Sequence, residues 1–191
     1  MADLQQHTDK MQNCLAVFLG PIDSFAPTQM AAGPVKTYLQ AGGRVFVSGE
    51  YYGSFDPTST NTFLAALGSS MVIGDPPKYC NCNISPQWTG TINVDVPMLA
   101  NVDAIFYACT TGVSGGTWLA QTNIEGPPQP PGDKPPYAPY DDCTEAFTFI
   151  AMEKSGKGYL IACGDSDLYS YGSSNCDFWT AFITNPTDKM L

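Results

Sequence analysis

The stretch that decides the fold of this chain is Ala41-Gly42-Gly43-Arg44-Val45-Phe46-Val47-Ser48-Gly49-Glu50. Its glycine pair follows a helical pattern that begins at Pro34, and glycine just past the last helical residue is the usual stop for a helix. The residues that follow are apolar without alternation, which is typical of a strand buried on both faces of a parallel sheet. The stretch therefore predicts a helix that stops at the glycines and leads into a buried strand, with Glu50 in the loop after it.

Similar strand and helix signals lie on both sides of this stretch. Residues 14–19 form a continuous apolar run that ends at Gly20-Pro21, a turn signal. Further along, the hydroxyl residues 58–60 can cap a second helix, and residues 71–73 read as a short third strand. An order of strand, helix, strand, helix, strand predicts a parallel sheet with right-handed crossovers.

From residue 75 onward the pattern changes to short strands and loops. Residues 126–140 hold seven of the sixteen prolines, which is typical of a polyproline spacer or a projecting loop. Predicted strands cover residues 91–94, 104–108, 117–120, 147–151 and 158–163, the last two as a hairpin, and a closing helix covers residues 175–183.

We expect an α/β protein, a flavodoxin-like three-layer sandwich with a mostly parallel sheet and an elaborated antiparallel β region in the second half. Residues 1–13 are polar and are predicted to form an N-terminal arm. Residues 14–191 are predicted to form one α/β domain. The elaboration covers about residues 75–145, including the proline-rich loop.

The composition argues against two classes of partner. The chain has 18 acidic and 8 basic side chains, a net charge of −10 and a single arginine, Arg44. Nucleic-acid binding needs clustered Lys and Arg, so we expect none. No apolar run approaches the ~18 residues of a membrane span, so no membrane association is expected. The polar N-terminus has no secretory signal pattern, which favours cytoplasmic synthesis.

The seven cysteines predict mainly free thiols. Their number is odd, and Cys14, Cys109 and Cys163 lie in apolar, strand-like runs, where a buried thiol behaves as a small hydrophobe. A reducing compartment of synthesis fits this pattern. Two alternatives remain open for the loop cysteines: a disulfide, or a zinc site. The cysteines concerned are Cys80, Cys82, Cys143 and, for zinc, Cys176.

Two motifs resemble class I glutamine amidotransferase-like domains, the flavodoxin-like group that includes ThuA-like proteins. The first is the helix end, strand and loop of residues 38–49, with its Tyr-Leu-x-x-Gly-Gly pattern. The second is the late strand and Gly-Asp-Ser turn of residues 158–167, which resembles non-catalytic relatives and is followed by a helix with Asn175 near its start. The resemblance covers about two thirds of the chain and implies a flavodoxin-like fold.

The catalytic residues of that family do not carry over to this chain. The family uses a Gly-x-Cys-x-Gly elbow, but Cys109 has Tyr107 and Thr111 at the two glycine positions, where bulky side chains do not suit a strained turn. The only histidine, His7, precedes the whole fold. A Cys–His or Ser–His mechanism needs an imidazole base, so we expect a catalytically degenerate relative.

Polar and aromatic loop residues supply the candidate binding site. The carboxyl edge of an α/β sheet is where ligands usually bind, and exposed Tyr and Trp are common at contact surfaces. No catalytic residue, metal ligand or cofactor is predicted. The candidate binding residues are Glu50, Tyr51, Tyr52, Trp88, Asp165 and Asp167.

We expect a non-catalytic structural, assembly or binding module with protein partners, acting through self-association or in a larger assembly. Its sharpest form is a structural protein of a virus particle, in the capsid or the tail. One alternative is a hydrolase or carbohydrate-active protein that uses carboxylates at the sheet edge, drawn from Glu50, Asp56, Asp165 and Asp167. Another is a carbohydrate-binding module that uses Trp88 and the loop tyrosines, which are Tyr51, Tyr52, Tyr137, Tyr140, Tyr169 and Tyr171.

Overall fold

The computed structural model describes residues 8–22, 26–50, 55–77, 79–80, 88–123, 145–170 and 174–191. The α-helices are α1 (Thr8–Met11), α2 (Ala26–Ala41), α3 (Thr58–Leu67) and α4 (Cys176–Thr184). Short 3-10 helices cover Pro97–Leu99, Asp167–Tyr169 and Thr187–Lys189. The strands are β1 (Val17–Leu19), β2 (Arg44–Ser48), β3 (Val72–Ile73), β4 (Tyr79–Cys80), β5 (Trp88–Thr89), β6 (Thr91–Ile92), β7 (Phe106–Tyr107), β8 (Thr110–Thr111), β9 (Val113–Ser114), β10 (Thr117–Gln121), β11 (Thr148–Ser155) and β12 (Gly158–Cys163).

The decisive stretch folds as predicted. Helix α2 ends at Ala41, and Gly42 adopts a φ of 110°, a left-handed conformation that favours glycine. The N–H of Gly43 donates to the carbonyl of Tyr38 at 2.9 Å, which closes the helix end. Strand β2 follows, and its residues from Val45 to Ser48 are fully buried. The glycine pair therefore ends the helix, and the apolar run forms a buried strand, as the sequence predicted.

Within the described residues, the main sheet has six strands in the order β1-β2-β12-β11-β10-β6. Strands β1 and β12 both run parallel to β2. The hairpin β11–β12 then reverses the direction, and β10 and β6 continue the sheet with antiparallel pairing. The other strands form three two-stranded antiparallel sheets, β3–β9, β4–β8 and β5–β7.

Helices pack on both faces of the main sheet because neighbouring residues of a strand point to opposite sides. In β2, Val45 and Val47 join a core with α2 and α3, whereas Phe46 joins a second core with α4. Strand β12 alternates in the same way, with Leu160 in the first core and Ile161 in the second. The prediction of an α/β protein is confirmed by this arrangement.

Two parts of the predicted sheet need correction. The sheet is not mostly parallel, since three of its five pairings are antiparallel. The predicted third parallel strand, residues 71–73, is β3, which pairs antiparallel with β9 outside the main sheet. The place beside β2 belongs to β12, because the fully buried run Gly158–Cys163 fills an interior position that the two-residue β3 is too short to fill.

Other predictions concern individual elements. The hairpin of residues 147–163, the closing helix and the strands near residues 91, 106 and 117 are confirmed. The helix expected to begin at Pro34 begins at Ala26 and carries Pro34 inside it. Within the predicted arm, α1 buries Met11 against the core of α2 and α3. The proline-rich loop 126–140 lies outside the described residues.

Candidate functional site

The carboxyl ends of β1, β2 and β12 meet at one edge of the main sheet because these three strands are parallel. Glu50 follows β2, and Asp165, Ser166 and Asp167 follow β12. The hydroxyl of Ser166 donates to Oε2 of Glu50 across this edge. The structure thus brings Glu50 together with residues 165–167 at this edge.

Asp165 is fully buried at this edge, and both of its carboxylate oxygens have backbone donors. Oδ2 accepts from the N–H of Ala108 at 2.9 Å, and Oδ1 accepts from the N–H of Asp167 at 2.7 Å. Burial raises the pKa of Asp165 well above its usual range; the two N–H groups oppose this effect, and the nearby Glu50 and Asp167 add to it. Asp165 therefore connects the end of β7 to the turn after β12 and is closed to solvent.

Cys163, the last residue of β12, is a buried free thiol as predicted. Its sulfur donates to the backbone carbonyl of Asp165 at 3.4 Å. Burial, followed by repulsion from Asp165, raises the pKa of this thiol well above its ordinary value. A thiol that stays protonated is a poor nucleophile, so Cys163 packs the core.

Tyr169 extends the carboxyl edge toward α4. Its hydroxyl donates to the carbonyl of Leu19 at 3.4 Å, and burial raises the pKa of this phenol although a hydrogen bond with Ser48 opposes the shift. Its ring stacks on Trp179, with ring centres 5.8 Å apart and planes 8° apart. Phe18 completes the surface, 5.5 Å from Trp179 in an edge-to-face contact.

Sequence reasoning included Tyr169 among the loop aromatics but missed Phe18 and Trp179. Both lie in apolar runs that the sequence assigns to a strand and a helix interior. Neither residue stands out in the sequence, because the exposure of a ring in an apolar run depends on tertiary packing that periodicity does not show. Neither residue is fully buried.

Several predicted site residues do not join the edge. Asp56 lies at the start of α3, where its Oδ1 accepts hydrogen bonds from the backbone N–H and the hydroxyl of Thr58. These bonds lower the pKa of Asp56, and the expected hydroxyl cap is replaced by this carboxylate. Trp88 pairs with Tyr107 between β5 and β7, but its side chain lies outside the described residues, as do Tyr51 and Tyr52.

Cys109 is disulfide-bonded, which corrects its prediction as a free thiol. Its φ of 47° resembles the strained conformation of a nucleophile elbow. However, the strand β8 follows it instead of a helix, and its sulfur is already bonded. Cys14 also differs from its prediction, because it precedes β1 and is exposed.

Asn175, the residue before α4, also has a structural role. Its buried amide pairs with both backbone groups of Phe106, accepting at 2.7 Å and donating at 3.0 Å. The side chain thus acts as a short strand beside β7. Among the described residues, no three His, Cys, Asp or Glu side chains come together in a way that would hold a metal ion.

A groove of about 440 Å³ lies at the other end of β2. Arg44 lines it, and the guanidinium donates to the backbone carbonyls of Phe182 and Asn185 at the end of α4. Tyr38 also lines it, and its hydroxyl donates to the carbonyl of Cys14 at 2.9 Å. The guanidinium of Arg44 therefore stabilises the carboxyl end of α4.

Comparison with known proteins gives a likeness in fold alone. No protein-family model matches the chain, and neither does any curated protein. The structure titled "Cytoplasmic Protein STM3548 from Salmonella typhimurium" has a TM-score of 0.58 at 9% identity, over 94% of this chain and 76% of that one. The exo-β-1,4-mannosidase Op5Man5 from Opitutaceae bacterium strain TAV5 has a TM-score of 0.43 at 11% identity, over 87% of this chain and 23% of that one. In the described part of the chain, no helix is long and apolar enough to cross a membrane.

Proposed function

We propose that this chain is a non-catalytic binding or assembly module whose partners are proteins, including further copies of itself. One observation carries the proposal: the groups at the carboxyl edge that resemble catalytic residues are already engaged in hydrogen bonds or a disulfide within the chain. Both oxygens of Asp165 accept backbone N–H groups, and the sulfur of Cys109 is in a disulfide. A reaction would have to break the contacts that position these strands.

The partly exposed aromatic rings at the same edge support a contact role. Tyr169 and Phe18 reach the surface, and Trp179 stacks behind Tyr169. Aromatic side chains that are fixed in one orientation lose little conformational entropy when a partner covers them. The surface is thus better suited to binding than to chemistry.

The ancestry we propose is a degenerate, flavodoxin-like relative of the class I glutamine amidotransferases. Three adjacent parallel strands with helices on both faces of the sheet support it, and an elaborated antiparallel region would account for the other strands. Self-association of such a module suits a structural role in a virus particle, which stays a prediction.

A hydrolase that uses carboxylates is the second candidate. The observation in its favour is the hydrogen bond from Ser166 to Glu50, since both side chains are partly exposed and a carboxylate can accept the proton of an attacking hydroxyl. The stacked pair Tyr169–Trp179 likewise favours the third candidate, a carbohydrate-binding module.

The decisive measurement compares the wild type with Glu50→Gln and Ser166→Ala on aryl esters and aryl glycosides. We expect no turnover that depends on either residue. Asp56→Asn is the matched control, since this carboxylate lies at the start of α3. Turnover that falls about a hundredfold or more in both site variants, but persists in the control, would establish the hydrolase instead.

A further inference from the structure

Strand β1 is the end strand of the main sheet. It pairs with β2 on one side, and no strand in the described ranges pairs with its other side. An end strand presents backbone N–H and C=O groups that another chain can bind, and proteins usually protect such an edge with charged side chains or proline. The sequence of β1 itself is Val-Phe-Leu, with neither.

Exposed apolar side chains cluster around this edge. Leu15 is 74% exposed, Phe18 40% and Tyr169 37%, and Phe18 contacts Tyr169 edge-to-face with ring centres 6.2 Å apart. Val94, which is 83% exposed, lies far along the chain near β6, at the opposite end of the sheet. Three of the six exposed large apolar side chains of the described residues therefore lie beside β1; the other three are Val72 at 39%, Val94 and Leu191 at 40%.

The charge distribution favours a second copy of this chain at the same edge. The whole chain carries a net charge of −10, so two copies repel each other over most of their surfaces. Residues 11–22, which contain β1, include no charged side chain. Two copies that meet along this segment bring no like charges directly opposite each other.

We infer that β1 pairs antiparallel with β1 of a second copy across a two-fold axis near Phe18, so that one sheet continues through a dimer. Such an interface is self-complementary: Phe18 faces its own copy, and Val17 faces Leu19. Backbone hydrogen bonds supply the affinity, and the aromatic surface of Phe18 and Tyr169 is covered. This inference rests on the proposed assembly function and names the surface that performs it.

Sedimentation velocity on matched variants tests the surface. We expect a wild-type dimer at concentrations up to about 100 µM, a dissociation constant at least about tenfold higher in Leu15→Asp, and about a hundredfold higher in Phe18→Asp. Val94→Asp adds the same charge to an apolar site that is more exposed than either, and it should not change the dimer. Circular dichroism verifies that each variant folds. If Phe18→Asp does not fold, Leu15→Asp alone tests the surface.

The exposed thiol of Cys14 tests the register. In a Cys176→Ser background, a spin label on Cys14, with its position verified by mass spectrometry, should give an inter-label distance of at most about 30 Å, since at most eight residue steps of about 3.4 Å separate the two sites and the chain bends at Leu15. Cys14→Ser should abolish the signal. A wild-type monomer overturns both the dimer and self-association; a dimer that survives both aspartate variants, or lacks this distance, overturns the β1 interface alone.

Discussion

At the scale of single residues, Asp165 shows how a carboxylate that resembles a catalytic group serves the fold. It lies in the interior, where ionisation is unfavourable, and two backbone N–H groups partly compensate for this cost. The sequence placed Asp165 after a strand, among the candidate binding residues at the sheet edge. The hydrogen bond to Ala108, 57 residues away, is a tertiary contact that local sequence reasoning does not show.

The raised pKa of Asp165 predicts a pH dependence of stability. In the folded state Asp165 holds its proton to higher pH than in the unfolded chain. The contribution of this proton to the free energy of unfolding is therefore fully present below the unfolded pKa of about 3.9, and it is lost as pH rises through the folded pKa. Asp165→Asn cannot titrate. Each tenfold difference in acid dissociation constant between the folded and unfolded states is worth about 1.4 kcal/mol. Urea denaturation from pH 3 to 8 should therefore show the wild type losing stability relative to Asp165→Asn as the pH rises.

Asp56→Asn is the control, because the contribution of Asp56 to stability changes with pH in the opposite direction. Its lowered pKa means that the stabilising contact with Thr58 is present above the unfolded pKa and is lost as pH falls. Stability curves of wild type and Asp165→Asn that stay parallel over the whole pH range would show that burial does not control the ionisation of Asp165.

At the scale of elements, the end of α2 depends on close packing against Tyr38. A Cβ atom on Gly43 would lie 2.3 Å from Cε1 of Tyr38. The ring has little room to move, because it is buried and its hydroxyl is bonded to the carbonyl of Cys14. Helix α2, the glycine turn and the segment before β1 therefore form one packed unit.

Two alanine substitutions in this unit should differ clearly in their effect on stability. Gly43→Ala forces the Tyr38 ring aside and should destabilise the protein by about 1–3 kcal/mol. Gly33→Ala, at an exposed site inside α2, should change stability by less than about 0.5 kcal/mol, because the entropy gained by alanine in a helix is offset by the clash of its Cβ with the ring of Pro34. Chemical denaturation measures both, and a neutral Gly43→Ala would contradict the packing argument.

The sequence predicted the elements better than their arrangement. Glycine at the end of α2 and the apolar run of β2 act locally, so residues 41–50 were predictable. The pairing of Ile161 with Phe46, more than a hundred residues apart, was not, because periodicity identifies a buried strand without naming its neighbour. The same limit applies to the candidate site: the contact between Glu50 and Ser166 depends on the pairing of β2 with β12, and the burial of Asp165 depends on β7.

At the scale of the whole molecule, the disulfide of Cys109 changes the expected chemistry of the chain. Among the described residues, Cys14, Cys163 and Cys176 are free thiols, whereas Cys109 is disulfide-bonded. A stable disulfide needs an oxidising environment at some stage after synthesis. The expectation of mainly free thiols in a reducing compartment is corrected for Cys109.

Removing this bond should lower stability by about 2–4 kcal/mol. We expect the unfolding midpoint to fall when reductant is added to the wild type, and Cys109→Ser to show the lower midpoint with or without reductant. Cys176→Ser, which removes an exposed free thiol, should behave as the wild type. Peptide mapping without reduction identifies the partner; a midpoint indifferent to reductant would contradict a stabilising bond.

The position of β12 in the sheet has a consequence for biosynthesis. This strand lies between β2 and β11 in the middle of the main sheet, yet it ends only at Cys163, late in the chain. During synthesis, β2 has no neighbour on its inner side until residues 158–163 have left the ribosome. Because contacts between distant segments form slowly, folding must wait for this strand, and the nascent chain exposes the apolar inner edge of β2 until then.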